Sequence, residues 1–253
     1  MRALLVGLTF LLFTPTFGGL VVLASLLGRP DIHGSIFDWA PRLWAKTILW
    51  AGGVRLHLHD ADRIPPKSSR IYVANHVSWF DVFAMLSVVP RNKWVAKAEL
   101  LKIPIFGPAA RRVGTIFIER QNRKAAFAQY DTAAAIIRSG ASVIVAPEGT
   151  RGDSYALRPF KKGPFVLAIA AGVPIVPTIV YGTLPVHPKG TWKVRGGDVH
   201  LHFLEEIPTA GYTFEQRTEL AQLVWDRMAE AMRTLYGIES APAVEPDPAG
   251  VAE

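Results

Sequence analysis

The chain has 253 residues, of which 50% are hydrophobic and 19% charged, and a formal net charge of +7. That balance excludes a disordered protein and suits one compact domain with an apolar appendage. With no cysteine, a disulfide framework, a thiolate zinc site and a cysteine nucleophile are all excluded.

The chain opens on an apolar run, Ala3 to Leu27, with no charged residue. It is long enough to cross a bilayer. Yet Pro15, Gly18 and Gly19 fall near its middle, where a helix kinks or breaks. The run therefore fits a single span, a hairpin of two half-helices dipping into one leaflet, or a signal peptide behind Arg2. Its length and the lack of a small-x-small cleavage site speak against the signal. The segment "SIFDWAPRLWAKTILWAGG" follows, with Trp39, Trp44 and Trp50 among Arg42 and Lys46. Indoles beside basic side chains suit the headgroup region, and an ordinary amphipathic helix packed on the domain is the bland alternative.

From Val54 short β-rich runs alternate with helical ones. "VRLHLHD" and "DVHLHFLE" alternate apolar and polar residues with period two, as half-exposed strands do. "RIYVA", "KWVAK", "GTIFIE", "SVIVA" and "PIVPTIVY" read as further strands. Helices are expected in "NRKAAFAQYDTAAAIIRSG", closed by Gly140, and in "TFEQRTELAQLVWDRMAEAMRTLYG", closed by Gly237. This alternation predicts an α/β fold: a mixed, largely parallel sheet flanked by helices, preceded by a membrane-embedded helical anchor. The expected divisions are an anchor with an interfacial helix over 1–52, the catalytic domain over 53–237 and a disordered acidic tail over 238–253. Glu239, Glu245, Asp247 and Glu253 in the tail carry four negative charges, so the preceding chain sums to +11. A body that basic favours phosphorylated ligands, acidic lipids or nucleic acid.

The stretch "VANHVSWFDVF" (Val73 to Phe83) carries the first chemistry. Ser78 and Asp81 match a capping box, which by itself makes Asp81 a helix-start carboxylate. Alternatively, Asp81 holds one nitrogen of His76 and leaves the other free to accept a proton. In a continuous helix five positions rotate the two by about 140°. They meet only if His76 lies in the loop ahead of the helix.

Asn75-His76-x-x-x-x-Asp81 resembles the first motif of the glycerolipid acyltransferases, the bacterial 1-acyl-glycerol-3-phosphate acyltransferases among them. "GTIFIER" (Gly114 to Arg120), "PEGTR" (Pro147 to Arg151) and "VPIVP" (Val173 to Pro177) resemble the other three blocks, in order, over about residues 70 to 185. One departure is Ala146, where the third motif usually opens with an aromatic, and this bears on acceptor identity. The resemblance implies that His76 is the base and Asp81 its orienting carboxylate. It also implies that Gly114, Arg120, Glu148, Gly149, Thr150 and Arg151 bind the acceptor. Arginine suits a phosphate because its planar fork donates two parallel hydrogen bonds. Glu148 cannot attract phosphate, so it is expected to hold an arginine or a substrate hydroxyl.

Lys97 and the run "RPFKKG" (Arg158, Lys161, Lys162) are candidate contacts for a donor's phosphates or for headgroups, against the commoner solvated lysine. His57 with His59, and His200 with His202, fall on the polar phase of half-exposed strands. No carboxylate spacing completes a metal site there, so no metal and no cofactor are expected. The implied reaction moves an acyl group from acyl-CoA or acyl-carrier protein to the free hydroxyl of 1-acyl-glycerol-3-phosphate, giving phosphatidic acid. The partners are then a thioester donor, a lysophospholipid acceptor and a membrane, with no nucleic acid. The implied location is the inner membrane with the active site on its cytoplasmic face. Family resemblance also favours an N-terminal helical pair in one leaflet, with Trp39, Trp44 and Trp50 at headgroup level. An acceptor of another headgroup, such as an ornithine lipid, is the alternative within the family. A non-enzymatic basic membrane binder would leave His76 and Asp81 without purpose. A serine hydrolase lacks support because no Gly-x-Ser-x-Gly elbow occurs.

Overall fold

A computed structural model of the protein describes residues 1–118 and 132–241. The β-branched runs form one seven-stranded sheet. Its order is β1 (Val54–His59), β7 (Gly197–Phe203), β6 (Ile175–Tyr181), β2 (Ile71–Ala74), β5 (Ser142–Val145), β3 (Asn92–Lys97), β4 (Ile116–Ile118). Only β6 and β7 pair antiparallel; the other five pairings are parallel. Every residue of β2 and β5 is buried, because helices cover both faces. Ile71 and Val73 point into a core shared with α5 (132–138), α6 (Gly163–Ala171) and α8 (Arg217–Tyr236). Tyr72 and Ala74 point the other way, onto α2 (Ile36–Gly52) and α3 (Trp79–Val88).

The apolar leader is α1 (Arg2–Leu26), a single helix with Pro15 inside it. The expected pair of half-helices is thus not formed. Thr16 donates its hydroxyl to the Leu12 carbonyl at 2.8 Å, supporting the turn that proline weakens. Thr14 accepts the Trp44 indole N–H at 3.0 Å and ties α1 to α2. Gly18 lets α1 approach α4 (Phe106–Arg112), where a Cβ would stand 3.2 Å from the Ala109 methyl. The helix is about 37 Å long at 1.5 Å per residue, and both of its ends rest on the same folded body. At one end the Arg2 guanidinium lies against Gly53 and Gly196. Just past the other, Asp31 pairs with Lys93 at 2.6 Å and with Arg91 at 3.4 Å.

Trp44 is not exposed as a headgroup contact would be. It is buried among Phe10, Phe83 and Phe106, whereas Trp39 and Trp50 are exposed. The sequence pattern also passed over α6, which is short and apolar all round and so shows no periodicity. Gly237, at φ +66°, closes α8 in the left-handed conformation. Of the expected acidic tail, residues 242–253 lie outside the described part.

Candidate active site

His76 sits in the loop between central strand β2 and α3. The third motif leaves β5, the parallel neighbour of β2, so both motifs rise from the carboxyl ends of adjacent strands. In open α/β sheets that edge is where ligands bind. Asn75 fixes the loop by extending the ladder with its side chain: Nδ2 donates to the Val180 carbonyl at 2.9 Å, and Oδ1 accepts the Val180 N–H at 2.8 Å.

One carboxylate oxygen realises both expectations for Asp81. Its Oδ2 accepts the N–H groups of Val77 and Ser78 at 2.7 and 2.8 Å, and lies 2.9 Å from His76 Nδ1. Ser78 completes the capping box by accepting the Phe80 N–H. Because His76 precedes the cap, the chain folds its ring back onto the helix start, which a helical spacing of five would forbid. Asp81 is buried, and the His76 side chain is only 15% exposed. Among the described residues Nε2 makes no hydrogen bond, so it is the nitrogen available to a substrate.

Glu148 clamps the same loop through its backbone. Its Oε1 accepts the His76 backbone N–H at 3.0 Å, and its Oε2 pairs with Arg158 at 2.9 Å. The His76 carbonyl in turn accepts the Gly152 N–H at 2.7 Å. Burial pushes the Glu148 carboxyl up, and hydrogen bonds from Arg158 and the His76 backbone pull part of the way back. Arg158 also donates to the Thr150 carbonyl. It is therefore engaged with the motif loop, where the sequence offered it as a phosphate contact.

The other expected residues divide by position. Arg151 is held 5.2 Å above the ring of Trp79, in the first turn of the helix that Ser78 and Asp81 cap. Gly149 takes φ +77° and donates to the Ala146 carbonyl at 3.1 Å, so glycine there serves a tight turn. Thr150 is exposed next to it. Lys97 ends β3, exposed and level with Asn75 through the parallel register. The Lys161 backbone N–H bonds the Pro147 carbonyl at 2.9 Å, and Lys162 caps α6. Gly114 is not brought to the site. It lies before β4, near the level of Ile71 at the far end of β2, and its φ of +82° and the adjacent Lys93 stem explain the glycine. Arg120 lies outside the described residues.

Two contributors escape the sequence. His187, on the segment after α7 (Thr183–Val186), accepts the Ser78 hydroxyl at its carbonyl at 2.9 Å. Its ring leans on Phe80; burial first and Arg151 second lower its pKa. The second is an apolar cavity of about 570 Å³ between α1, α2, α3, β3 and α4. Trp79, Phe80, Trp94 and His187 line it near the pair, and Trp94 stands edge-on to the His76 ring at 6.4 Å.

A buried carboxylate orienting an imidazole at a strand edge, with an apolar cavity alongside, suits proton removal from a hydroxyl during acyl transfer. The acyltransferase family model matches residues 55–181, about half of the chain and the region holding this loop. The chain belongs to the acyltransferase family. It is similar to the human 1-acyl-sn-glycerol-3-phosphate acyltransferase beta, at 33% identity over 219 residues covering 86% of this chain and 76% of that protein. The human alpha protein is 32% identical, covering 77% and 68%. The crystal structure of the 1-acyl-sn-glycerophosphate acyltransferase of Thermotoga maritima superposes with a TM-score of 0.78 at 26% identity, covering 95% of this chain and 97% of that one. As a family member, the chain is an acyl-transferring enzyme.

The Glu148 clamp makes a pH-dependent prediction. A carboxyl raised in the folded state contributes stability that is complete below its unfolded pKa and lost as pH rises through the folded value. Arg158→Met removes the partner that offsets burial and widens that loss. Its deficit in stability against the parent should widen by about 1–3 kcal/mol between pH 4 and neutral pH. A deficit constant across that range would mean that the pair does not couple to the Glu148 proton.

Proposed function

We propose that the protein acylates the free hydroxyl of a 1-acyl-glycerol-3-phosphate, making phosphatidic acid from a coenzyme A or carrier-protein thioester. The observation that carries this is the His76–Asp81 pair, 2.9 Å apart, opening beside an apolar cavity large enough for an acyl chain. The hydroxyl oxygen attacks the thioester carbonyl while His76 Nε2 takes its proton. The carbonyl re-forms as the C–S bond breaks, and the imidazolium returns the proton to the departing thiolate. Asp81 keeps Nδ1 protonated and stabilises the imidazolium. Transfer is direct, since there is no cysteine and the Ser78 proton is committed to the His187 carbonyl. The names of the human and Thermotoga relatives support this acceptor.

Arg151, over the Trp79 ring, is assigned to the acceptor phosphate, with Arg120 as its expected partner. Arg151→Lys should raise the acceptor KM about tenfold, through loss of a two-pronged contact, and leave the donor KM unchanged. A matched rise in both constants would transfer Arg151 to the donor or to the fold. Lys97, Lys161 and Lys162 are offered to the anionic donor.

The membrane assignment rests on α1. It is apolar on every side, and Leu4, Leu11, Leu12, Leu23 and Leu26 are each more than half exposed. Both helix ends touch one body, so a span that separates them across a bilayer would drag the charged sheet into hydrocarbon. The helix instead lies with α2 in one leaflet, and the soluble thioester places that leaflet on the cytoplasmic side of the inner membrane. A cysteine introduced at Ala3 should be protected from impermeant reagent in intact cells and react once they are opened; ready labelling from outside would require a span.

The substrate assignment is tested by offering one thioester donor to purified protein with lysolipids of different headgroup. Preference for the phosphomonoester supports it. Equal or better use of an ornithine- or choline-bearing lysolipid would replace it with that acceptor.

A further inference from the structure

Four histidines outside the His76 loop meet on the opposite face of the sheet from α3. His-x-His on a strand places both rings on one face, and β1 and β7 run parallel with His57 beside His200 and His59 beside His202. The sequence treated each pair as solvated. It could not show that the strands are neighbours in register.

The array is unequal. His57 is engaged by Asp198, at 2.8 Å, and Arg55 grips that same carboxylate at 2.8 Å. The other three converge: their candidate ligand nitrogens all lie within 4.8 Å of one another, and His59 Nε2 stands 3.0 Å from His200 Nδ1. Two nitrogens on a tetrahedral zinc ion, each at about 2.0–2.1 Å, are roughly 3.3 Å apart. His202 Nε2 meets the Tyr236 hydroxyl at 2.6 Å, which leaves Nδ1 as the nitrogen for a metal. A ligand histidine commonly has such an outer partner, fixing its tautomer and ring orientation.

We propose that His59, His200 and His202 form a site for a divalent transition metal of the zinc class, with water in the fourth position. Imidazole nitrogens select such ions over magnesium or calcium, which favour oxygen ligands. The rings now lie nearly parallel, His59 and His202 at 4.0 Å and 6°. Convergence of their lone pairs on one ion needs rotations about the Cβ–ring bonds, whose torsional wells are broad. The metal would pin β1, an edge strand, to β7 and lock the end of α8 through Tyr236. This makes it a clamp on the edge of the sheet, two strands from β2 and on the face away from α3, and it does not depend on the proposed acceptor.

The test uses untagged full-length protein in detergent, stripped with chelator. Zn²⁺ titrated in a calorimeter should bind at one equivalent, Co²⁺ should give the visible absorption of a four-coordinate ion, and Zn²⁺ should raise the thermal midpoint. His59→Gln and His200→Gln should each weaken Zn²⁺ by roughly 100-fold and abolish the midpoint rise, since one of three ligands is lost. His57→Gln should bind as the parent does. Absence of saturable Zn²⁺ binding to the parent, or parent-like binding in both ligand variants with their circular dichroism intact, would overturn the site.

Discussion

His76→Ala should lower acyl transfer by about 10²–10⁴, the usual worth of a positioned general base. The protein should still fold, because the two backbone hydrogen bonds that Asp81 makes to Val77 and Ser78 remain. Asp81 is the sharper test, since one oxygen serves both the helix cap and the imidazole. In Asp81→Asn the amide oxygen can take over the backbone donors, so the midpoint should move little. Turnover should fall nearly as far as in His76→Ala, because no negative charge then faces the imidazolium. Asp81→Ala removes the cap as well and should cost a further 1–2 kcal/mol or so of stability. Turnover that tracks stability across these variants, with Asp81→Asn near the parent in both, would reduce Asp81 to a capping residue.

The second large effect belongs to the membrane face. Replacing Leu4, Leu8 and Leu11 together by glutamate should release the protein from lipid vesicles. These side chains are 68%, 46% and 68% exposed and touch little of the body. Burying a leucine is worth about 1.5–3 kcal/mol. Losing three partly embedded ones should therefore lower partitioning by about 10³ or more, with the added charges deepening the loss. Activity on vesicle-borne acceptor should fall accordingly, while activity on a short-chain acceptor dispersed in solution survives. Parent-like flotation with vesicles would mean that α1 is not the lipid-facing element.

How much of this was legible follows from which interactions are local. All seven strands announced themselves through alternation or β-branched runs, and the parallel sheet followed from their spacing with helices. The His76–Asp81 contact was legible because a cap at Ser78 and a spacing of five leave one way for the ring to turn. Local pattern misled at Pro15, where the Thr16 hydroxyl and packing against α2 and α4 carry the helix through. It misled again at Trp44, whose indole is satisfied by Thr14, thirty residues earlier. Gly114 fell inside a motif, yet it precedes β4 and so lies at the opposite edge of the sheet from the site, which only the register reveals. His187 and the cavity depend on contacts between distant segments, so no spacing in the sequence encodes them. The same holds for the paired histidines of β1 and β7.

The most direct measurement follows both fragments of the thioester. Purified protein on vesicles is given a donor labelled in its acyl group together with lysophosphatidate, and lipid products and free thiol are quantified. The predicted result is labelled phosphatidate formed one-for-one with thiol, dependent on the acceptor and absent in His76→Ala. Labelled free fatty acid released at the same rate without acceptor, or phosphatidate formed undiminished by His76→Ala, would contradict base-assisted transfer to the glycerol hydroxyl.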